Sequence, residues 1–147
     1  MAKASLIAAV YVVLTVLLGE FSYGPIQFRV SEALAILPLV EPSAILGITV
    51  GCAISNIFGG FGPIDIIGGS LVTLIAAIIT SKMPNKILAV LPPIILNGLI
   101  VSIWVSKMSG LPYIPIVINI LIGEIIAVAI LGLIFLSAYE KYKKKPQ

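Results

Sequence analysis

The sequence predicts an all-α integral membrane protein: a compact bundle of six transmembrane helices, the second of them short, with both termini in the cytoplasm. Three observations carry this. Of 147 residues, 60% are hydrophobic and only 10% charged, where soluble domains carry about 25% charged residues. The mean hydropathy is +1.21. Proline, glycine and polar punctuation cuts the chain into six apolar segments, residues 3–19, 28–39, 42–58, 63–81, 86–107 and 113–139. A chain of this length leaves no room for a separate soluble domain, so residues 1–147 are read as one transmembrane domain.

The first segment runs from Ala4 into Gly19-Glu20 without an obvious processing site, so it is read as a short membrane helix and not a cleaved signal. Its Ala4 and Ala8 stand one turn apart, and small residues at that spacing let backbones approach closely in lipid. With few other features on this helix, the pair is read as an exposed stripe that docks a partner subunit. The second segment is too short to cross alone: a helix needs about 20 residues at about 1.5 Å each, and Pro38 and Pro42 stop it. It is expected as a short or tilted helix with its ends buried in protein, or as a helix extended by ordered loop. The third segment carries Gly47, Gly51 and Ser55 on one face, with Asn56 near its far end and Cys52 and Thr49 one and two turns below. The run Gly59-Gly60-Phe61-Gly62-Pro63 lacks the Lys-Ser/Thr ending of a phosphate-binding loop and is read as a tight turn.

Segments four to six are long enough to span. The fourth opens with Pro63 at a first turn and Asp65 close behind. In the fifth, Asn97 and Trp104 share a face about 10 Å apart. The sixth contributes Asn119 and, eleven residues inside, Glu124 with apolar neighbours on both sides. Orientation follows lysine and arginine bias: Lys3, Lys82, Lys86, Lys141, Lys143, Lys144 and Lys145 fall on one side, Arg29 and Lys107 on the other. The richer side is the cytoplasmic one, which places Glu20, Glu32, Asp65 and Glu124 toward the outside. The pI of about 9.1 therefore reflects a cytoplasmic flank and not a nucleic-acid surface.

Composition also excludes chemistry. Cys52 is the only cysteine and there is no histidine, so an intrachain disulfide, a cysteine-rich or histidine metal site and a histidine proton relay are ruled out. With no evident nucleophile–base motif, the chain is not expected to be an enzyme, and no cofactor is called for. Arg29 and Glu32 stand out, because ionisable groups near hydrocarbon usually face a partner, a cavity or a ligand. Three apart on a helix, they share a face and can pair. Asp65 either complements a helix N-terminus or faces a ligand, and Asn56, Asn97 and Asn119 either bridge helices or do the same. Trp104 and Tyr113 suit an interfacial belt. Glu124 wants a cation, a strong donor or a proton. Amides, carboxylates and one indole together suit a small planar ligand rich in hydrogen-bond donors.

The run Tyr23-Gly24-Pro25-Ile26-Gln27-Phe28-Arg29-Val30-Ser31-Glu32-Ala33-Leu34, followed by Leu37-Pro38 and Pro42, resembles the QueT family, the substrate-binding S components of energy-coupling factor (ECF) vitamin transporters. The resemblance extends over the whole chain in length, segment layout and basic tail. It implies uptake of a queuosine precursor, the 7-deazaguanine preQ1 or preQ0, across a prokaryotic plasma membrane, and assembly with a transmembrane coupling subunit and two ATPase subunits. It implies that Ala4 and Ala8 contact the coupling subunit, and that the loop from Glu20 to Gln27, which includes Tyr23, caps the substrate. Glu32 or Glu124 then takes the guanine-like edge with Asn56 and Asn97, and Asp65 or the other acid faces an amine. Arg29 holds Glu32 or shapes the loop, and Trp104 and Asn119 complete the candidate set. Two alternatives stay open: an S component for another vitamin or purine-like compound, and a solitary proton-coupled transporter working through Glu124.

Overall fold

In hydrocarbon only the chain itself can satisfy backbone N–H and C=O groups, so apolar segments resolve into helices. The computed structural model describes residues 1–23 and 28–143, and among them there is no strand. The helices are α1 (Ala2–Leu17), α2 (Val30–Leu39), α3 (Ser43–Gly59), α4 (Gly62–Thr80), α5 (Lys86–Ser109) and α6 (Tyr113–Lys143), with a helical turn at Gly19–Ser22 after α1. By length and composition α4, α5 and α6 can each cross a membrane, whereas α1, α2 and α3 are shorter apolar helices of 16, 10 and 17 residues.

The second segment is the axis of the bundle. α2 is a 3-10 helix, whose rise of about 2.0 Å per residue stretches ten residues to about 20 Å. Every residue from Ser31 to Pro38 is buried, and α2 packs against all five other helices. Ser31 Oγ shares a 2.6 Å hydrogen bond with Thr15 Oγ1 of α1. The expected short helix buried in protein is found, wound more tightly than an α-helix.

α1 lies against α3 through small residues. A Cβ added at Gly47 would stand 2.8 Å from Ile7 Cβ and 2.9 Å from Ala4 O. One added at Gly51 would meet Tyr11 Cβ at 2.8 Å and Ala8 O at 3.1 Å. Ala8 is buried and Ala4 half-buried, so this pair faces α3. That differs from the exposed stripe expected of it: the outward face of α1 is carried by Leu6, Val10, Val13 and Leu17. The reason lies in α3, whose glycines let the backbone of Ala4 and Ala8 and the side chains of Ile7 and Tyr11 come close.

Each long helix contains one π-helical stretch: Asp65–Gly69 in α4, Asn97–Val101 in α5 and Ile125–Gly132 in α6. The glycine-rich run after α3 is a turn as expected, with Gly60 and Gly62 at φ +75° and +71°. At the opposite end Glu41, between α2 and α3, gathers three elements. It takes Lys3 of α1 at 3.0 Å, Ser43 at 2.8 Å and the Tyr139 hydroxyl of α6 at 2.9 Å. Lys86 pairs with Glu140 nearby in sequence to Tyr139. The chain's first residues and the end of α6 therefore meet at one end of the bundle.

Candidate functional site

Five ionisable or amide side chains converge where α2 meets the π-helical stretches. α2 and the residue before it bring Glu32 and Arg29. Asp65 and Asn97 open the π-helical stretches of α4 and α5, and Glu124 precedes that of α6. All five line one chamber together with Cys52, Gly69, Thr73, Val101 and Ile120, and none is more than 9% exposed. A π-helical turn widens the helix by one residue and is frequent at functional sites. Here each one re-aims a polar side chain of an otherwise apolar helix.

The chamber has two halves. In the first, Arg29 Nη1 donates to Asn56 Oδ1 at 2.9 Å, and its Nη2 lies 3.8 Å from Asp65 Oδ2. Its guanidinium also sits 5.7 Å from the Tyr23 ring centroid, over the ring face. Tyr23 in turn donates to Ser55 O at 2.7 Å, and Trp104 Nε1 donates to Asp65 Oδ1 at 2.9 Å. In the second, Tyr11 donates its hydroxyl to Glu32 Oε1, and Asn97 Nδ2 donates to Glu124 Oε1 at 3.0 Å. Four buried polar atoms of the lining have no hydrogen-bond partner: Arg29 Nη2, Glu32 Oε2, Asp65 Oδ2 and Glu124 Oε2. Buried polar groups are nearly always satisfied, so four orphans around one chamber point to a ligand position.

Several expectations are redirected. Arg29 pairs with Asp65 and not with Glu32: at Arg29 the backbone is extended (φ −100°, ψ 103°), so the helical spacing of three does not hold. Asn56 does not face the chamber. Its oxygen accepts from Arg29, and its amide donates to Asp65 O at 2.8 Å and toward Cys52 Sγ at 3.5 Å. Trp104 is buried and hydrogen-bonded to Asp65 behind the wall, not in an interfacial belt, while Tyr113 is exposed. Asn119 is half-buried outside the lining. Tyr23 touches Arg29 from outside, and Gln27 lies outside the described residues. Tyr11 and Thr73 were not singled out. A phenol in the middle of an apolar helix needs an acceptor, and that signal was available in the sequence for Tyr11.

The chamber measures about 20 Å³, room for one water, so a fused bicyclic ring is admitted only if its walls move apart. A larger cavity of about 670 Å³ lies between α1, α2 and α6, but its walls are mainly Leu6, Ile7, Val10, Leu34, Leu37 and Phe135. Its polar residues include Lys3, Glu41 and Tyr139, which already satisfy one another, whereas specific recognition needs convergent polar groups with free valences, and the smaller chamber holds four such buried atoms.

The family model described as QueT transporter matches residues 1–141. The chain belongs to the QueT transporter family. Among curated proteins it is similar to "Queuosine precursor transporter QueT" of Lactococcus lactis subsp. cremoris (strain MG1363), at 47% identity over 73 residues, 48% of this chain and 43% of that protein. The matched stretch is thus less than half of that relative's length. No solved structure matches the chain. Membership of a family described as a transporter accords with the three helices long and apolar enough to cross a membrane.

Proposed function

We propose that this QueT-family chain is the substrate-binding S component of an ECF-type primary transporter, and that the chamber holds a 7-deazaguanine queuosine precursor. The observation that carries the reading is the wall of four unpartnered polar atoms, two carboxylates among them, at the centre of a bundle from this family. A 7-deazaguanine offers N–H donors, a carbonyl acceptor and a flat face. Glu32 and Glu124 are its principal partners, and Arg29, Asp65 and Asn97 complete the wall. Asn56, Trp104 and Tyr23 hold Arg29 and Asp65 in place. The relative's description as a queuosine precursor transporter supports the choice of ligand.

In this reading the chain spans the membrane six times as a single domain with both termini in the cytoplasm, as the lysine bias and the shared end of Lys3 and Tyr139 favour. Without an ATP-binding motif of its own, it depends on a coupling subunit and two ATPase subunits for energy. It is a binding and transport component and not an enzyme. Binding of preQ1 to purified Glu124→Gln and Glu32→Gln proteins tests the site: affinity is expected to fall by about tenfold or more in each. Unchanged affinity in both would sink the model. Proteoliposome uptake that needs no ATPase partner would speak for a solitary transporter instead.

A further inference from the structure

Counting charge around the chamber narrows its ligand. The lining holds one guanidinium and three carboxylates. Arg29 answers Asp65, with Nη2 3.8 Å from Oδ2, which leaves that half neutral. No cation pairs with Glu32 or Glu124 among the described residues. Each is met only by a neutral donor on Oε1, the Tyr11 hydroxyl in one case and the Asn97 amide in the other, and each keeps a buried Oε2 with nothing against it. Two buried carboxylates that line one chamber repel each other and lack the solvent that would screen them. A ligand that brings only hydrogen-bond donors meets their geometry but not their charge.

The other half makes a different offer. Arg29 Nη2 and Asp65 Oδ2 are a free donor and a free acceptor side by side. That pair complements a lactam edge, in which a carbonyl and an N–H are neighbours, without adding net charge.

We propose that the chamber selects a cationic aromatic base, its ammonium group between the free oxygens of Glu32 and Glu124 and its lactam edge on Arg29 and Asp65. The inference rests on the 7-deazaguanine reading and divides it: the aminomethyl compound preQ1 is the preferred ligand, and the uncharged nitrile preQ0, with the same ring, is disfavoured. Glu32 and Glu124 are then the residues that set specificity.

Equilibrium binding of preQ1 and preQ0 to the purified full chain in detergent tests this. The unaltered protein is expected to hold preQ1 at least about tenfold tighter, the scale of one desolvated ion pair. Glu32→Gln and Glu124→Gln keep shape and remove charge, and each is expected to shrink the preference to about threefold or less by weakening preQ1 more than preQ0. The unaltered protein decides the matter even where a variant does not fold. Equal binding of the two compounds, or tighter binding of preQ0, overturns charge selection and leaves the 7-deazaguanine reading standing. Binding of neither overturns that reading, and the charge proposal with it.

Discussion

Asp65 is held from two sides, by Trp104 Nε1 at 2.9 Å and by Arg29 at 3.8 Å. Trp104→Phe keeps an aromatic ring smaller than the indole and removes the donor to a buried carboxylate, a loss of about 1.5–3 kcal/mol from the hydrogen bond alone. Thermal unfolding in detergent is expected to show that cost, and preQ1 binding to weaken with it because Asp65 is no longer held in position. A variant with the stability and affinity of the parent would remove Trp104 from the wall's support. Tyr11→Phe is expected to act on the other half, leaving both oxygens of Glu32 without a donor. At this scale the residue types were legible in the sequence, because a carboxylate or amide amid apolar residues announces itself. Their partners were not. Arg29 stands three residues from Glu32 and thirty-six from Asp65, yet pairs with the distant one, since an extended residue before α2 and a π-helical turn in α4 set the directions of their side chains.

Among the helices, α1 and α3 approach closely where Gly51 faces Tyr11 Cβ and Ala8 O, both backbone or near-backbone atoms that cannot swing aside. Gly51→Ala is expected to destabilise the bundle by about 1–3 kcal/mol through overpacking. Gly69→Ala would press on Asn56 Nδ2 at 2.6 Å, so it is expected to disturb the Arg29 anchor and lower ligand affinity while the helices stay folded. A parent-like melting point in Gly51→Ala, or parent-like preQ1 affinity in Gly69→Ala, would overturn these contacts. Helix positions were legible from punctuation: prolines and glycines bound segments within a few residues of those found. The 3-10 winding of α2 and the three π-helical stretches were not, because both trade local hydrogen-bond geometry for tertiary fit, and local propensity does not register that trade. The same gap misplaced Ala4 and Ala8. Spacing identifies a small-residue face, but only the packed bundle decides which neighbour it meets.

Across the whole molecule, the end that gathers the first residues of α1 and the last turns of α6 is clasped by one carboxylate. Lys3 above all, then Ser43 and Tyr139, donate to Glu41 and hold its pKa down at about 2. In the unfolded chain a glutamate titrates near about 4.3. A group whose folded pKa is depressed adds stability that is present in full above the unfolded value and is lost as pH falls through the folded one. The clasp is therefore expected to hold at neutral pH and to weaken from about pH 4.3 down to about pH 2. The measurement is the unfolding midpoint of the parent and of Glu41→Gln in detergent, compared at about pH 6 and about pH 3. The parent should lead at the higher pH, and the gap should narrow at the lower one, where the unfolded chain takes up a proton at Glu41 that the folded protein does not. Lys3→Met should give a similar, smaller pattern, because Ser43 and Tyr139 still donate. A gap between parent and Glu41→Gln that stays constant across this range would mean that the carboxylate's charge does not tie α1, α3 and α6 together. Glu41 lies outside the polar chamber, so preQ1 affinity at neutral pH should change little in either variant, which separates the clasp that holds the bundle from the wall that recognises the ligand.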